Sequence, residues 1–152
     1  MDKLVLVRYG ESTNGHLNEQ GMQTMVLTAK RLRYLAENQS ACIICAKIPR
    51  AIESAKIISK NLNISGIQSF EELYAAEDVP IFLDTAIKII NSVGEKYDVI
   101  IAVISREYIE ALPNHILQGL GSQKTTETHL NRGEALVIDY KTKKINYLKS
   151  GV

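Results

Sequence analysis

No run in this 152-residue chain approaches 18 consecutive apolar residues, so no segment reads as a membrane-spanning helix. The N-terminus also lacks a basic region followed by a long apolar stretch and a small-residue cleavage site. The expectation is a soluble, cytoplasmic protein. Charge of one sign is equally scarce, with 18 Lys and Arg against 17 Asp and Glu and a formal net charge of +1. Such a chain has no global field to recruit nucleic acid or an anionic membrane, and any anion binding must be local. Cysteine is limited to Cys42 and Cys45 in "ACIICAK", with no second Cys or His pair to complete a zinc site. The C-x-x-C spacing also has a redox reading, but that chemistry wants the pair at a helix start. A pair inside a strand points instead to buried reduced thiols. No cluster implies a metal, and nothing implies a cofactor. No repeat, low-complexity stretch or linker interrupts the chain, so residues 1–152 read as a single domain.

What is present is an alternation of short apolar runs and amphipathic stretches. Leu4 to Val7 is a continuous β-favouring run bounded by charge, as expected of a strand buried on both faces. From Gln23 to Leu35, Met22, Val26, Ala29, Leu32 and Leu35 follow a helical period. Ala41 to Cys45 is a second strand candidate. Pro49 opens a helix through Leu62, with Ala51, Ala55, Ile58 and Leu62 on one stripe. Ile64 to Phe70 is the weakest strand candidate. Asp78-Val79-Pro80 has the form of an N-cap and first turn, leading into a helix from Ile81 to Val93. "DVIIAVI", Asp98 to Ile104, is the strongest strand signal, followed by "SRE" and a helical stretch to Leu120. The tail "EALVIDYKTKKINYL" reads as a hairpin. Strands alternating with helices predict a three-layer α/β/α domain with a mostly parallel central sheet.

Open parallel sheets bind ligands beyond the carboxyl ends of their strands. Three such ends carry an arginine: Arg8, Arg50 and Arg106. Three converging guanidinium groups repel one another unless an anion sits between them, and a phosphoryl group suits their planar bidentate donors. The plain alternative is that each arginine is solvated or paired with Glu11, Glu53 or Glu107.

The motifs around these arginines resemble the histidine phosphatase superfamily, which includes the phosphoglycerate mutases, and most closely its short phosphohistidine phosphatase branch. That family opens with a strand followed by Arg-His-Gly-Glu or Arg-His-Gly-Asp, and this chain has "LVRYGES". Its Leu-Thr-x-x-Gly-x-x-Gln helix start is matched by "LNEQGMQTM" at Leu17 to Met25. Its Ser-Pro-x-x-Arg-Ala-x-Glu-Thr-Ala pattern is matched by "AKIPRAIESA" at Ala46 to Ala55. Its Ser-His strand end corresponds to "IIAVISRE", and Gly133-Glu134-Ala135 before the final hairpin fits the same branch. The resemblance implies a phosphoglycerate mutase-like fold, no metal, and phosphate donors at Arg8 and Arg50, which Arg106 joins by its strand-end position.

Two departures fall on the chemistry. Tyr9 stands where the family has its histidine nucleophile, and Arg106 replaces the second catalytic histidine. A phenol, with a reference pKa of about 10, is a poor nucleophile near neutrality. A permanent cation keeps anion attraction but discards proton transfer, and tight ground-state binding does not accelerate a reaction. The expectation is a degenerate domain binding a phosphorylated small molecule or phosphoprotein with little or no turnover. The alternative is a phosphohydrolase using Tyr9 or a directly activated water. His16, in a loop beyond the first strand, is the nearest substitute histidine; His115 falls in a helix and His129 near the tail. Asn14 lies one place short of an asparagine that longer family members use near the phosphate. Glu72 and Glu77 in "EELYAAED" match no acid motif.

Overall fold

The central sheet is organised around Val99–Ile104, a strand buried along its entire length. The computed structural model describes residues 1–122 and 128–149; the single-domain reading also extends over 123–127 and 150–152, which lie outside the described residues. The strands are β1 (Lys3–Arg8), the short pair β2 (Ser12–Thr13) and β3 (His16–Leu17), β4 (Ala41–Ala46), β5 (Gln68–Phe70), β6 (Val99–Ile104), β7 (Ala135–Asp139) and β8 (Lys144–Leu148). The helices are α1 (Glu19–Ala36), α2 (Pro49–Leu62), α3 (Leu83–Gly94) and α4 (Arg106–Gly119). Six strands form the main sheet in the order β5-β4-β6-β1-β7-β8. The first four run parallel, and β7 and β8 close the sheet as an antiparallel hairpin.

This order explains the layering. The chain moves outward from β1 to β4 to β5 through α1 and α2, then returns to β6 through α3. Right-handed crossovers travelling in opposite directions put their helices on opposite faces. In agreement, α1 packs on α2 and α3 packs on α4. The expected three-layer α/β/α architecture is therefore observed. The chain leaves the neighbouring strands β1 and β6 toward opposite faces, the switch point at which open α/β sheets bind ligands beyond the carboxyl ends of their strands.

Local sequence accounts for most element boundaries. Asn18 caps α1, its side-chain oxygen accepting from Gly21 N at 2.8 Å. Pro49 opens α2 at a position whose missing N–H costs nothing. Cys42 and Cys45 are buried free thiols in β4, and burial pushes the Cys45 thiol up to about 11.

Three expectations are corrected. The segment at Asp78 is no helix start: Ala76 and Val79 bond each other's backbone across a tight bridge, and the chain stays non-helical to Phe82, the residue preceding α3. Phe82 N is held there by the Tyr108 hydroxyl at 3.1 Å. Helix α1 starts four residues before Gln23, and its buried stripe runs through Gly21, Met25, Ala29, Leu32 and Leu35, leaving Met22 45% exposed. The β5 strand is confined to Gln68–Phe70 and does not begin at Ile64.

Candidate anion site

Arg8, Arg50 and Arg106 stand at the same end of three adjacent strands. Arg8 is the last residue of β1 and pairs in register with Ile104, the last residue of β6. Arg106 opens α4 directly after its N-cap Ser105, which follows β6, and Arg50 lies in the first turn of α2, four residues beyond β4. Neither of these two helices has a side-chain cap on its first turn. Ser105, the cap residue of α4, instead accepts from Ala75 N at 3.0 Å through its buried hydroxyl. Both helix starts therefore bring partial positive charge to the arginine-bearing end of the sheet.

Arg8 is the most constrained of the three. Its Nη1 donates to Leu130 O at 2.9 Å, while its Nε is buried without a hydrogen-bond partner. Its guanidinium is held below the ordinary arginine value, first by burial and then by the positive charges of Arg132 and Arg106; Tyr9 and Glu107 offset part of this. Arg8 is thus a half-buried cation with two cationic neighbours and a sealed, unpartnered donor, a local concentration of positive charge.

Tyr9 and Arg50 form a unit beside it. Arg50 Nη2 donates to the Tyr9 hydroxyl at 3.3 Å, and the guanidinium carbon lies 4.8 Å from the Tyr9 ring centre. Burial tends to lower the Arg50 value, but the Tyr9 and Tyr74 hydroxyls outweigh it and leave the guanidinium raised. The loop that carries Tyr9 is pinned from both sides. Gly10 N donates to the buried Ser54 hydroxyl at 3.1 Å, and that hydroxyl donates to Arg50 O at 2.8 Å. Ser54 thus couples the β1 loop to the turn that presents Arg50. On the other side, Gly21 of α1 lies so close that an added Cβ would stand 2.1 Å from Glu11 O. This contact explains a glycine inside the first turn of a helix.

The carboxylates considered as partners do other work. Glu53 accepts from Leu17 N and sits against His16 Nδ1, each at 2.8 Å, so it fastens the β2–β3 hairpin. Glu11 accepts from Asn18 Nδ2 at 3.1 Å. Only Arg106 meets its expected partner, with Glu107 at 3.4 Å and Glu110 at 3.8 Å, on a half-exposed side chain. His16 is exposed and occupied by Glu53. His115 lies on α4, 3.8 Å from Asp84, and His129 is exposed. Asn14 sits at the exposed hairpin tip with φ of 54°, followed by Gly15 at 84°: an Asn-Gly turn whose identity is conformational. Glu72 and Glu77 are exposed, Glu72 in a 3-10 turn over Glu71–Leu73.

Three participants escaped the sequence reading. Ser54 was signalled by the Thr position of the "AKIPRAIESA" pattern. Arg132 immediately precedes the Gly133-Glu134-Ala135 motif. Tyr74 has no comparable signal, because it reaches Arg50 through tertiary packing alone.

No protein-family model matches the chain, and no curated protein matches it by sequence. Solved structures match it over almost its full length. The protein histidine phosphatase SixA in complex with tungstate has a TM-score of 0.70 at 13% identity, covering 95% of this chain and 93% of its own. A mycobacterial glucosyl-3-phosphoglycerate phosphatase complexed with VO3 has a TM-score of 0.68 at 12% identity, covering 97% of each chain. A phosphoglycerate mutase from Plasmodium falciparum has a TM-score of 0.58 at 19% identity, covering 98% of this chain and 89% of its own. The fold is that of the histidine phosphatases and phosphoglycerate mutases. In its extent it is similar to SixA, whose chain it spans nearly end to end.

Proposed function

We propose that this protein belongs to the short phosphohistidine phosphatase branch of the histidine phosphatase superfamily and binds a phosphoryl or other anionic group with little or no catalysis. The observation that carries the proposal is Arg8: a half-buried guanidinium with an unpartnered Nε, depressed by burial and by Arg132 and Arg106. An anion beside Arg8 relieves the repulsion that Arg132 and Arg106 impose on it. Two proteins of the same fold form complexes with tungstate and VO3, which supports an oxyanion as the class of ligand. A phosphorylated small molecule or a phosphoprotein supplies it.

The case against turnover rests on proton chemistry. In-line transfer needs a nucleophile with a free lone pair and groups that move protons. The Tyr9 hydroxyl accepts from Arg50, and a guanidinium cannot act as its base. Arg106, paired with Glu107, supplies charge without proton transfer. Binding therefore acts on the ground state, which does not lower a barrier.

The test pairs calorimetric binding with phosphate release, using a phosphohistidine peptide and an aryl phosphate. Saturable binding that Arg8→Ala abolishes, without release, is expected; the double variant Tyr9→His with Arg106→His is expected to gain turnover. Release by the parent at a rate comparable with the double variant overturns the proposal. The second reading, a phosphohydrolase with an atypical nucleophile, draws on the contact between the Tyr9 hydroxyl and the Arg50 guanidinium, the cation proposed to take the phosphoryl group. It requires activity in the parent that disappears in Tyr9→Phe.

A further inference from the structure

At the end of the sheet opposite the arginines, α3 and α4 leave a cleft of about 310 Å³ between their C-terminal halves. Helix α3 feeds β6 and α4 leaves it, so both run against the strands and end far from Arg8, Arg50 and Arg106. Tyr140 closes the cleft from the turn after β7. Its backbone is fixed there: β7 pairs with β1 down to Asp139 and Lys3, and Tyr140 N donates to Asp2 O at 3.0 Å. Ile87 and Ile90 on one side and Ile116 and Leu120 on the other form the apolar walls. No Lys, Arg, Asp or Glu side chain lines the space; its polar groups are Asn91, His115 and Tyr140. Among the described residues none of these three side chains makes a hydrogen bond, and His115 has only the exposed Asp84 carboxylate, 3.8 Å from its Nε2.

Walls and rim together specify an occupant. An apolar cavity of about 150 Å³ takes a benzene ring, so this cleft has room for a bicyclic body, held mainly by burial of apolar surface. Burial pushes the Tyr140 phenol up to about 12, so it remains an O–H that both donates and accepts. The sign of the ligand's charge follows from the surroundings. Helix α4 ends here with no Lys or Arg in its last turn, so no such side chain offsets its partial negative charge. Asp84 adds a full negative charge at the rim beside His115. The neighbouring end of α3 shows the same preference already met, because the Met1 ammonium donates to Gly94 O at 3.0 Å. We infer that the α3–α4 cleft binds a small molecule with an apolar body of bicyclic size and a protonated amine directed toward Asp84 and the last turn of α4. This second site is separate from the arginine-bearing end and does not depend on anion binding there.

The experiment titrates tryptamine, tryptophol and indoleacetate into the whole chain at neutral pH and fixed ionic strength, following backbone amide shifts by nuclear magnetic resonance. The three probes share one ring system and differ in charge. Tryptamine is expected to saturate, shifting the amides of Ile87, Asn91, Ile116 and Gly119. It is expected to bind about threefold more tightly than tryptophol and about tenfold more tightly than indoleacetate. Asp84→Asn, at an exposed position, is expected to weaken tryptamine by about twofold to threefold and to leave tryptophol unchanged. Gly119→Leu and Ile87→Trp fill the cleft from α4 and from α3, and each is expected to abolish saturation, with circular dichroism verifying the fold; if one of them unfolds, the other decides. Failure of tryptamine to saturate, or binding of tryptophol or indoleacetate as tight as that of tryptamine, overturns the inference. Shifts centred on Arg8 to Glu11, an Asp84→Asn protein with unchanged tryptamine affinity, or binding that survives in a folded cleft-filling variant overturns it equally.

Discussion

Replacing Gly21 by alanine tests how tightly the loop carrying Tyr9 is pressed against α1. On helix propensity alone the change stabilises, because Gly in a helix interior costs about 1 kcal/mol relative to Ala. The structure predicts the opposite sign. An added Cβ stands 2.1 Å from Glu11 O and 2.9 Å from Glu11 N, both backbone atoms with no rotamer to change. The first turn of α1 or the Gly10-Glu11 loop must move, and overpacking of this kind costs about 1–3 kcal/mol or more. Subtracting the propensity gain leaves a net loss of about 0–2 kcal/mol at the low end, with a larger loss where the backbone yields little. For a chain of this size, each 1 kcal/mol lowers Tm by roughly 2–4 °C. Gly119 supplies the internal control: it also lies in a helix, and a Cβ there meets nothing within 4 Å among the described residues. Gly119→Ala is expected to stabilise by about 0.4–1 kcal/mol. Urea unfolding of both variants beside the parent checks the pair. A Gly21→Ala protein as stable as Gly119→Ala refutes the close approach and, with it, the account of how the loop is held.

Other outcomes follow from the same contacts. Arg50→Ala is expected to weaken phosphate binding by about tenfold or more through loss of a charge-assisted contact, whereas Tyr9→Phe keeps most of it; calorimetry checks both. Burial holds the Cys45 thiol at about 11 and also raises Cys42, so neither is expected to react with iodoacetamide at pH 8 until the protein is unfolded, as mass spectrometry would show. Burial works to raise the Glu53 carboxyl, but His16 and Leu17 N outweigh it, so its folded pKa lies below its ordinary value. A depressed carboxyl pKa contributes stability above the unfolded value and loses it as pH falls through the folded one. The stability difference between parent and Glu53→Gln is therefore expected to be full at neutral pH and to vanish in acid, measured as Tm against pH.

The parts of the fold that were legible in the sequence are those whose cause is local. β1 and β6 are apolar runs because both of their faces are covered, and Pro49 marks the start of α2 through its own chemistry. Asp78-Val79-Pro80 misled because the same residues serve a turn equally well, and the deciding contact comes from Tyr108, far away in sequence. Met22 misled for a related reason: the face that α1 buries is set by the approach of Gly21 to Glu11, which no periodicity reveals. At the candidate site, Arg8, Arg50 and Arg106 were visible as strand-end cations. Their actual neighbours were not. Arg50 lies against Tyr9 instead of Glu53, and Glu53 turned out to fasten the β2–β3 hairpin. Arg132 looks like any exposed arginine until the segment around it is seen bonded to Arg8 and Tyr9.

The most direct measurement is one titration of a phosphohistidine peptide into the protein, following heat of binding and free phosphate in the same samples. The account predicts saturable heat that disappears in Arg8→Ala, with no phosphate released above the protein-free control. Release of phosphate by the parent, abolished in Tyr9→Phe, would contradict it.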